Sequence, residues 1–163
     1  MGQDSQPQWL TDEEQRVWRT YLQATRLVED HLDRQLQREA GMPHLYYGLL
    51  GELSEAPRRG IRMTDLARKA KITRPRLSHA ITRLEKLGWV RRESCYGDRR
   101  GQNAVLTEDG REVLKKSALG HVTAVRAAVF DSLTPEQIGQ LGRICRAIEE
   151  GLDREGADLP WLR

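Results

Sequence analysis

The sequence predicts a mainly α-helical fold with one small β-hairpin, in which long helices at both ends of the chain flank a basic middle. Two observations carry this expectation. Apolar residues recur at helical spacing over most of the chain, and the period shortens to that of a strand only between residues 89 and 106. The charge divides in the same way: residues 57–105 hold 14 Lys/Arg against 4 Asp/Glu, a local balance of +10, whereas the other residues hold 13 against 20.

At the N-terminal end, residues 1–8 are expected to form a flexible tail. Thr11-Asp12-Glu13-Glu14 reads as a capping box, with Thr11 as N-cap and Glu14 reaching back to it. Trp18, Tyr21, Leu22, Val28, Leu32 and Leu36 then follow at helical spacing, which predicts a first helix over 11–39 ended by Gly41 and Pro43. A second helix is expected over 43–55, with Leu45, Leu49, Leu50 and Leu53 inward. After a loop at 56–60 and an extended piece at 61–63, Thr64-Asp65 opens a helix of barely two turns. Lys71-Ile72-Thr73 is the following turn. Thr73 caps the next helix, in which Pro75 is tolerated because first-turn amides lack helical partners. Leu77, Ile81 and Leu84 form one face of that helix. Arg74, Arg76, Ser78, His79, Thr82 and Arg83 occupy the others, and Gly88 closes it.

Two short strands, 89–93 and 103–106, are expected to flank a polar tip at Gly97-Asp98-Arg99-Arg100-Gly101. Thr107 caps a long helix over 108–132, with an interruption expected near Gly120. Thr134-Pro135-Glu136-Gln137 opens a final helix whose apolar stripe is Ile138, Leu141, Ile144, Cys145, Ile148 and Leu152.

A short helix, a tight turn, a longer basic helix and a basic-tipped hairpin occur in the order of a winged helix-turn-helix. A recognition helix needs an apolar face to dock and a polar, basic face to enter the major groove. An arginine-bearing wing suits the negative potential of an adjacent minor groove. Charge alone leaves a solvated surface equally open, but helix, hairpin and charge together favour DNA. The expected division is a DNA-binding domain at 43–107, with residues 9–42 and 108–155 as dimerisation helices. Long terminal helices in a chain of 163 residues carry more apolar stripe than one copy can bury, and a two-fold partner would cover it.

The residues resemble the MarR (multiple antibiotic resistance regulator) family of winged helix-turn-helix transcription factors. The match runs through Arg62-Met63-Thr64-Asp65-Leu66-Ala67, Arg76-Leu77-Ser78-His79, Arg83 to Arg92, Asp98-Arg99-Arg100-Gly101 and Val105-Leu106-Thr107-Glu108-Asp109-Gly110. The resemblance implies a homodimer with interlocked terminal helices, reading a pseudo-palindromic operator and more often repressing than activating. It also implies release by a small aromatic effector, for which Trp18, Tyr21, His44 and Tyr47 are candidate lining residues. At the wing, it implies that Arg100 enters the minor groove steadied by Asp98, with Arg99 beside a phosphate. Asp98 as a plain turn residue stays open. Some relatives sense oxidants through a cysteine near the start of the first helix, and this chain has none there.

Several classes are not expected. There is no glycine-rich phosphate loop, nucleophile elbow or zinc-binding helix motif, so no catalytic residue, cofactor or metal is expected. No apolar run is long enough to span a membrane, and Met1 to Gln6 has neither the basic flank nor the apolar run of a signal peptide. Cys95 and Cys145 are too few for a disulfide scaffold, which points to the cytoplasm, and Cys145 reads as a small core residue. The competing function is a non-specific architectural DNA-binding protein using the same basic surface.

Overall fold

The computed structural model describes residues 9–95 and 98–154, with the side chains of 95–100 and 153–154 outside that description; the tail expected at 1–8 also lies outside it. Helix α1 spans Asp12–Ala40. Its start is the capping box: Glu14 donates its amide to Thr11 Oγ1 at 3.2 Å, and Thr11 donates its amide to Glu14 Oε2 at 2.7 Å. The Thr11 amide and, at 2.9 Å, the Thr11 hydroxyl donate to the charged carboxylate and hold Glu14 below its ordinary range. The helix ends at Gly41, whose φ of 63° lies in the left-handed region that favours glycine. The Met42 amide then turns back to the Leu36 carbonyl at 3.4 Å, and both side chains are fully buried in one cluster.

Helix α2 (His44–Ser54), strand β1 (Ile61–Arg62), helices α3 (Met63–Lys69) and α4 (Arg74–Lys86), and strands β2 (Val90–Cys95) and β3 (Asp98–Leu106) follow. The sheet is antiparallel in the order β1-β3-β2. Leu49, Leu50 and Leu53 of α2, Leu66 of α3, Leu77, Ile81 and Leu84 of α4, and Val90, Ala104 and Leu106 of the strands share one core with Leu36 and Met42. The hairpin is longer than its apolar alternation predicts. Cys95 pairs with Asp98, so Asp98, Arg99, Arg100 and Gly101 belong to β3 rather than to a loop. Backbone pairing extends past the last buried residue and leaves no apolar signal in the sequence.

The Leu-Thr-x-x-Gly motif closes the sheet against helix α5 (Glu108–Val125). Thr107 Oγ1 accepts the Gly110 amide at 3.0 Å and donates to the Gly88 carbonyl at 2.7 Å, while the Thr107 amide reaches the Trp89 carbonyl at 3.0 Å. Gly110 is required by contact: a Cβ there would lie 2.1 Å from the Trp89 carbonyl oxygen.

Helix α5 runs unbroken through Gly120, contrary to the expected interruption. Gly120 serves close approach, since a Cβ would fall 2.2 Å from Glu39 Oε2 of α1. The irregularity comes later, as a π-helical turn over Arg126–Phe130 in which Asp131 donates its amide to the Arg126 carbonyl at 2.9 Å. Helix α6 (Pro135–Arg154) begins at a second reciprocal box: the Thr134 amide meets Gln137 Oε1 at 2.8 Å, and the Gln137 amide meets Thr134 Oγ1 at 3.2 Å. Among the described residues its stripe is left largely uncovered, with Ile144 56% and Ile148 44% exposed. Cys145 is exposed too, which corrects its reading as a core residue.

Helices α1, α2 and α5 meet at a histidine pair. The His44 amide donates to Asp33 Oδ1 at 2.9 Å, and His44 Nδ1 lies 3.0 Å from Glu29 Oε2. The His121 ring stands 5.3 Å from His44 and 4.1 Å from Tyr47, and its buried Nδ1 has no hydrogen-bond partner among the described residues. Burial first, and then the neighbouring His44, lower the His121 pKa below its usual 6.5.

Gly110→Ala is expected to cost about 1–3 kcal/mol through overpacking against a backbone carbonyl, measured as a lower urea midpoint at unchanged slope. The junction has a pH dependence of definite sign. Because the folded state depresses the His121 pKa, the unfolded chain binds more protons below about pH 6.5. Stability is therefore intact above that value and declines as pH falls toward the folded pKa. His121→Gln should flatten the fall of the urea midpoint between about pH 7 and pH 5.5; equal slopes for variant and wild type would contradict the assignment.

Candidate nucleic-acid interface

Helix α4 is positioned by its two ends and one face. Lys71 turns the chain from α3 with a φ of 53°, a left-handed conformation uncommon for a side chain of that size. Thr73 Oγ1 accepts the Arg76 amide at 3.4 Å, and Pro75 sits in the first turn without displacing a bond. Leu77, Ala80, Ile81 and Leu84 are buried against the core. The opposite side is exposed and carries Arg74, Arg76, Ser78, His79, Thr82 and Arg83.

The six side chains face different surroundings. Arg74, Ser78 and Thr82, four residues apart, line a cleft of about 440 Å³ between α4 and the wing strand, with Arg62, Thr64, Arg92 and Gln102 on its other walls. Arg76 and His79 line a separate cleft of about 680 Å³ against α1 and the start of α2, where Glu29, Asp30, Asp33 and His44 also lie. Arg83 borders neither. Thr82 is already engaged: its hydroxyl donates to the Ser78 carbonyl at 2.9 Å and accepts from Arg92 Nη2 at 3.1 Å. Strand β3 starts at Asp98 and carries Arg99 and Arg100, whose side chains are outside the described residues, as is Gly97.

Sequence reasoning missed Arg62, Thr64 and Gln102, which share the wing-side cleft. They lie outside α4 and outside the Asp-Arg-Arg tip: Gln102 is brought beside the helix by the antiparallel return of β3, Arg62 by β1 on that strand, and Thr64 by the packing of α3 on α4. Periodicity carries no signal for that.

The four candidate ligand-lining residues do not converge within one chain. Trp18 and Tyr21 stack on each other at 5.9 Å and, with Ile144 and Ile148, line an apolar groove of about 790 Å³ between α1 and α6. His44 borders the cleft that holds Arg76, and Tyr47 packs on His121. Trp18 and Tyr21 belong to the apolar spacing that predicts α1. That half of α1 projects beyond the core, and Trp18 is 50% exposed. Among the described residues, no three His, Cys, Asp or Glu side chains are grouped to hold a metal ion, and no helix is long and apolar enough to cross a membrane.

Comparison with known proteins accords with this geometry. A model of the MarR family matches residues 40–101. Sco3205 of Streptomyces coelicolor, a MarR family transcriptional regulator solved in complex with DNA, is 66% identical over 98% of this chain and all of its own, with a TM-score of 0.92. AbsC, a MarR family transcriptional regulator from the same organism, is 44% identical over 90% of this chain and 99% of its own, with a TM-score of 0.84. CouR of Rhodococcus jostii RHA1, solved with p-coumaroyl-CoA, shares the fold at 19% identity and a TM-score of 0.71, over 87% of this chain and 95% of its own. With its winged helix, the exposed arginine face of α4 and these similarities over nearly its whole length, the chain belongs to the MarR family of transcriptional regulators.

Proposed function

We propose that this protein is a cytoplasmic, homodimeric regulator that binds a pseudo-palindromic DNA operator in sequence-specific fashion and represses transcription from it. The observation that carries the reading is the exposed arginine face of α4, docked by its apolar side and set beside a wing within the basic segment. The 66% identity to a relative solved on DNA supports it. In this reading residues 43–107 bind DNA, with Arg74, Arg76, Ser78, His79 and Arg83 at the major groove, Thr82 on the same face with its hydroxyl bonded to Arg92 and the Ser78 carbonyl, and Arg100, steadied by Asp98, at the minor groove with Arg99 on a phosphate. Residues 9–42 and 108–155 form the dimer. What supports the dimer is the apolar stripe of α6 and the outer half of α1, exposed together at Val17, Trp18, Tyr21, Ile144 and Ile148. An enzymatic role is not part of the proposal.

Release by a small aromatic acid belongs to the same proposal, in reduced form. Of the four candidate lining residues, only His44 borders the cleft that also contains Arg76 and His79. An occupant there would lie against two DNA-facing side chains and compete with the operator for them.

Two outcomes test the proposal with the full-length protein. Ile144→Asp should convert the dimer to a folded monomer in sedimentation and weaken binding to a duplex enriched from a random library by about 10²-fold or more, since two linked half-sites are lost together. A folded wild-type monomer at micromolar concentration would refute the dimer. Arg76→Ala should lower discrimination at one position per half-site by about 1–3 kcal/mol, whereas Arg100→Ala should make the slope of log affinity against log salt shallower by roughly one unit per arginine lost. Equal affinity for enriched and scrambled duplexes would instead indicate an architectural DNA-binding protein.

A further inference from the structure

Arg92 stands in β2, yet its side chain crosses to α4 and holds it at three levels. Nη1 pairs with the Glu85 carboxylate. Nη2 donates to the Ser78 carbonyl at 3.1 Å and to Thr82 Oγ1 at 3.1 Å. The Arg92 amide donates to the second Glu85 oxygen at 3.0 Å, so carboxylate and guanidinium close a ring between strand and helix. Residues 78, 82 and 85 are spaced by four and three, a single stripe along the helix. Both partners are largely withdrawn from water, Arg92 at 21% and Glu85 at 28% side-chain exposure, whereas in pairs such as Asp30–Arg34, Asp65–Arg68 and Asp131–Arg126 both side chains are more than half exposed.

We propose that Arg92, braced by Glu85, is a positioning residue for base recognition: it fixes the rotation of α4 about its axis and locks that helix and the wing into one body. This rests on the DNA-binding reading above. The apolar docking of Leu77, Ala80, Ile81 and Leu84 holds α4 against the core but is non-directional. A planar guanidinium fork with partners on successive turns supplies the missing direction. The same arginine lies in the strand paired to β3, so whatever orients Arg76 and Ser78 in one groove also orients the Asp98–Arg100 segment toward the next. Arg92 lines the wing-side cleft beside Arg62 and Arg74, where sequence alone would make it a phosphate ligand. Its donors are directed instead to Glu85, Ser78 and Thr82.

The test uses the full-length protein and two probes, a duplex enriched by the wild type from a random library and a scrambled duplex of equal length. Glu85→Gln, Arg92→Lys and Arg92→Gln are compared with wild type. Each should lower the ratio of the two affinities by about tenfold, on the order of one lost base contact, while thermal melting stays cooperative. Glu85→Gln is the sharpest arm. It removes a negative charge near DNA, which electrostatics alone would reward, yet it should reduce the ratio. Arg92→Lys keeps the charge and should keep the salt slope, but should not restore the ratio. If Arg92 instead bound a phosphate, Arg92→Gln would weaken both duplexes alike and reduce the slope by about 0.9, and the proposal would fall. It would fall equally if Glu85→Gln left the ratio unchanged. A wild type that enriches no sequence would refute the DNA-reading function itself.

Discussion

The structure depends on the burial of Leu36 and Met42 in the same core as the winged helix. These residues belong to the end of α1 and the turn after it, yet they are sealed among Leu49, Leu50, Leu66, Leu77 and Leu84. Each such side chain contributes about 1.5–3 kcal/mol relative to exposure, comparable to a sizeable part of a small domain's net stability. The long helix is therefore not attached to a finished winged-helix module. Its last turns are part of that module's interior, and the left-handed Gly41 lets the chain turn sharply enough for Met42 to return onto Leu36.

Electrostatics works on a different scale. Exposed pairs such as Asp30–Arg34 at 2.8 Å and Glu52–Lys69 at 3.1 Å are worth little singly. Their collective effect is distribution: acids dominate the outer helices and arginines dominate 57–105, so the molecule presents one attractive region to a polyanion and repels it elsewhere. The Glu85–Arg92 pair differs because it is largely withdrawn from water, Glu85 binds both the amide and the guanidinium of Arg92, and Arg92 also donates to Ser78 and Thr82, which turns a charge pair into a fixed geometry.

What the sequence made legible is what local chemistry decides. Thr11, Thr73, Thr107 and Thr134 mark their helix starts because a side-chain oxygen at an N-cap has one obvious use, and each accepts the expected amide. The buried face of α4 followed from spacing alone. The errors concern relations between distant segments. Gly120 reads as a helix breaker until Glu39 of another helix is found against it. Arg92 reads as one more basic residue until its reach to Ser78, fourteen positions away, is known. Cys145 reads as core because apolar spacing identifies a face without saying which molecule covers it. The wing residues at 98–101 lie in a strand whose register with β2 shifts between Ser94 and Cys95, to which their polar side chains give no clue.

The elbow between α1 and α2 has a consequence for the DNA itself. Only residues 41–43 separate the two helices, Gly41 is in a conformation few residues share, and the amide that follows Pro43 is bonded back to Asp33 at 2.9 Å. Such a joint has little slack, so two copies joined through their outer helices would act as a calliper with a fixed gap. One base pair turns B-DNA by about 35°. Two half-sites pushed apart by a single base pair would thus present one of their faces out of phase with a reader unable to swing after it. In this protein, operator length would be set at a glycine that need never touch DNA.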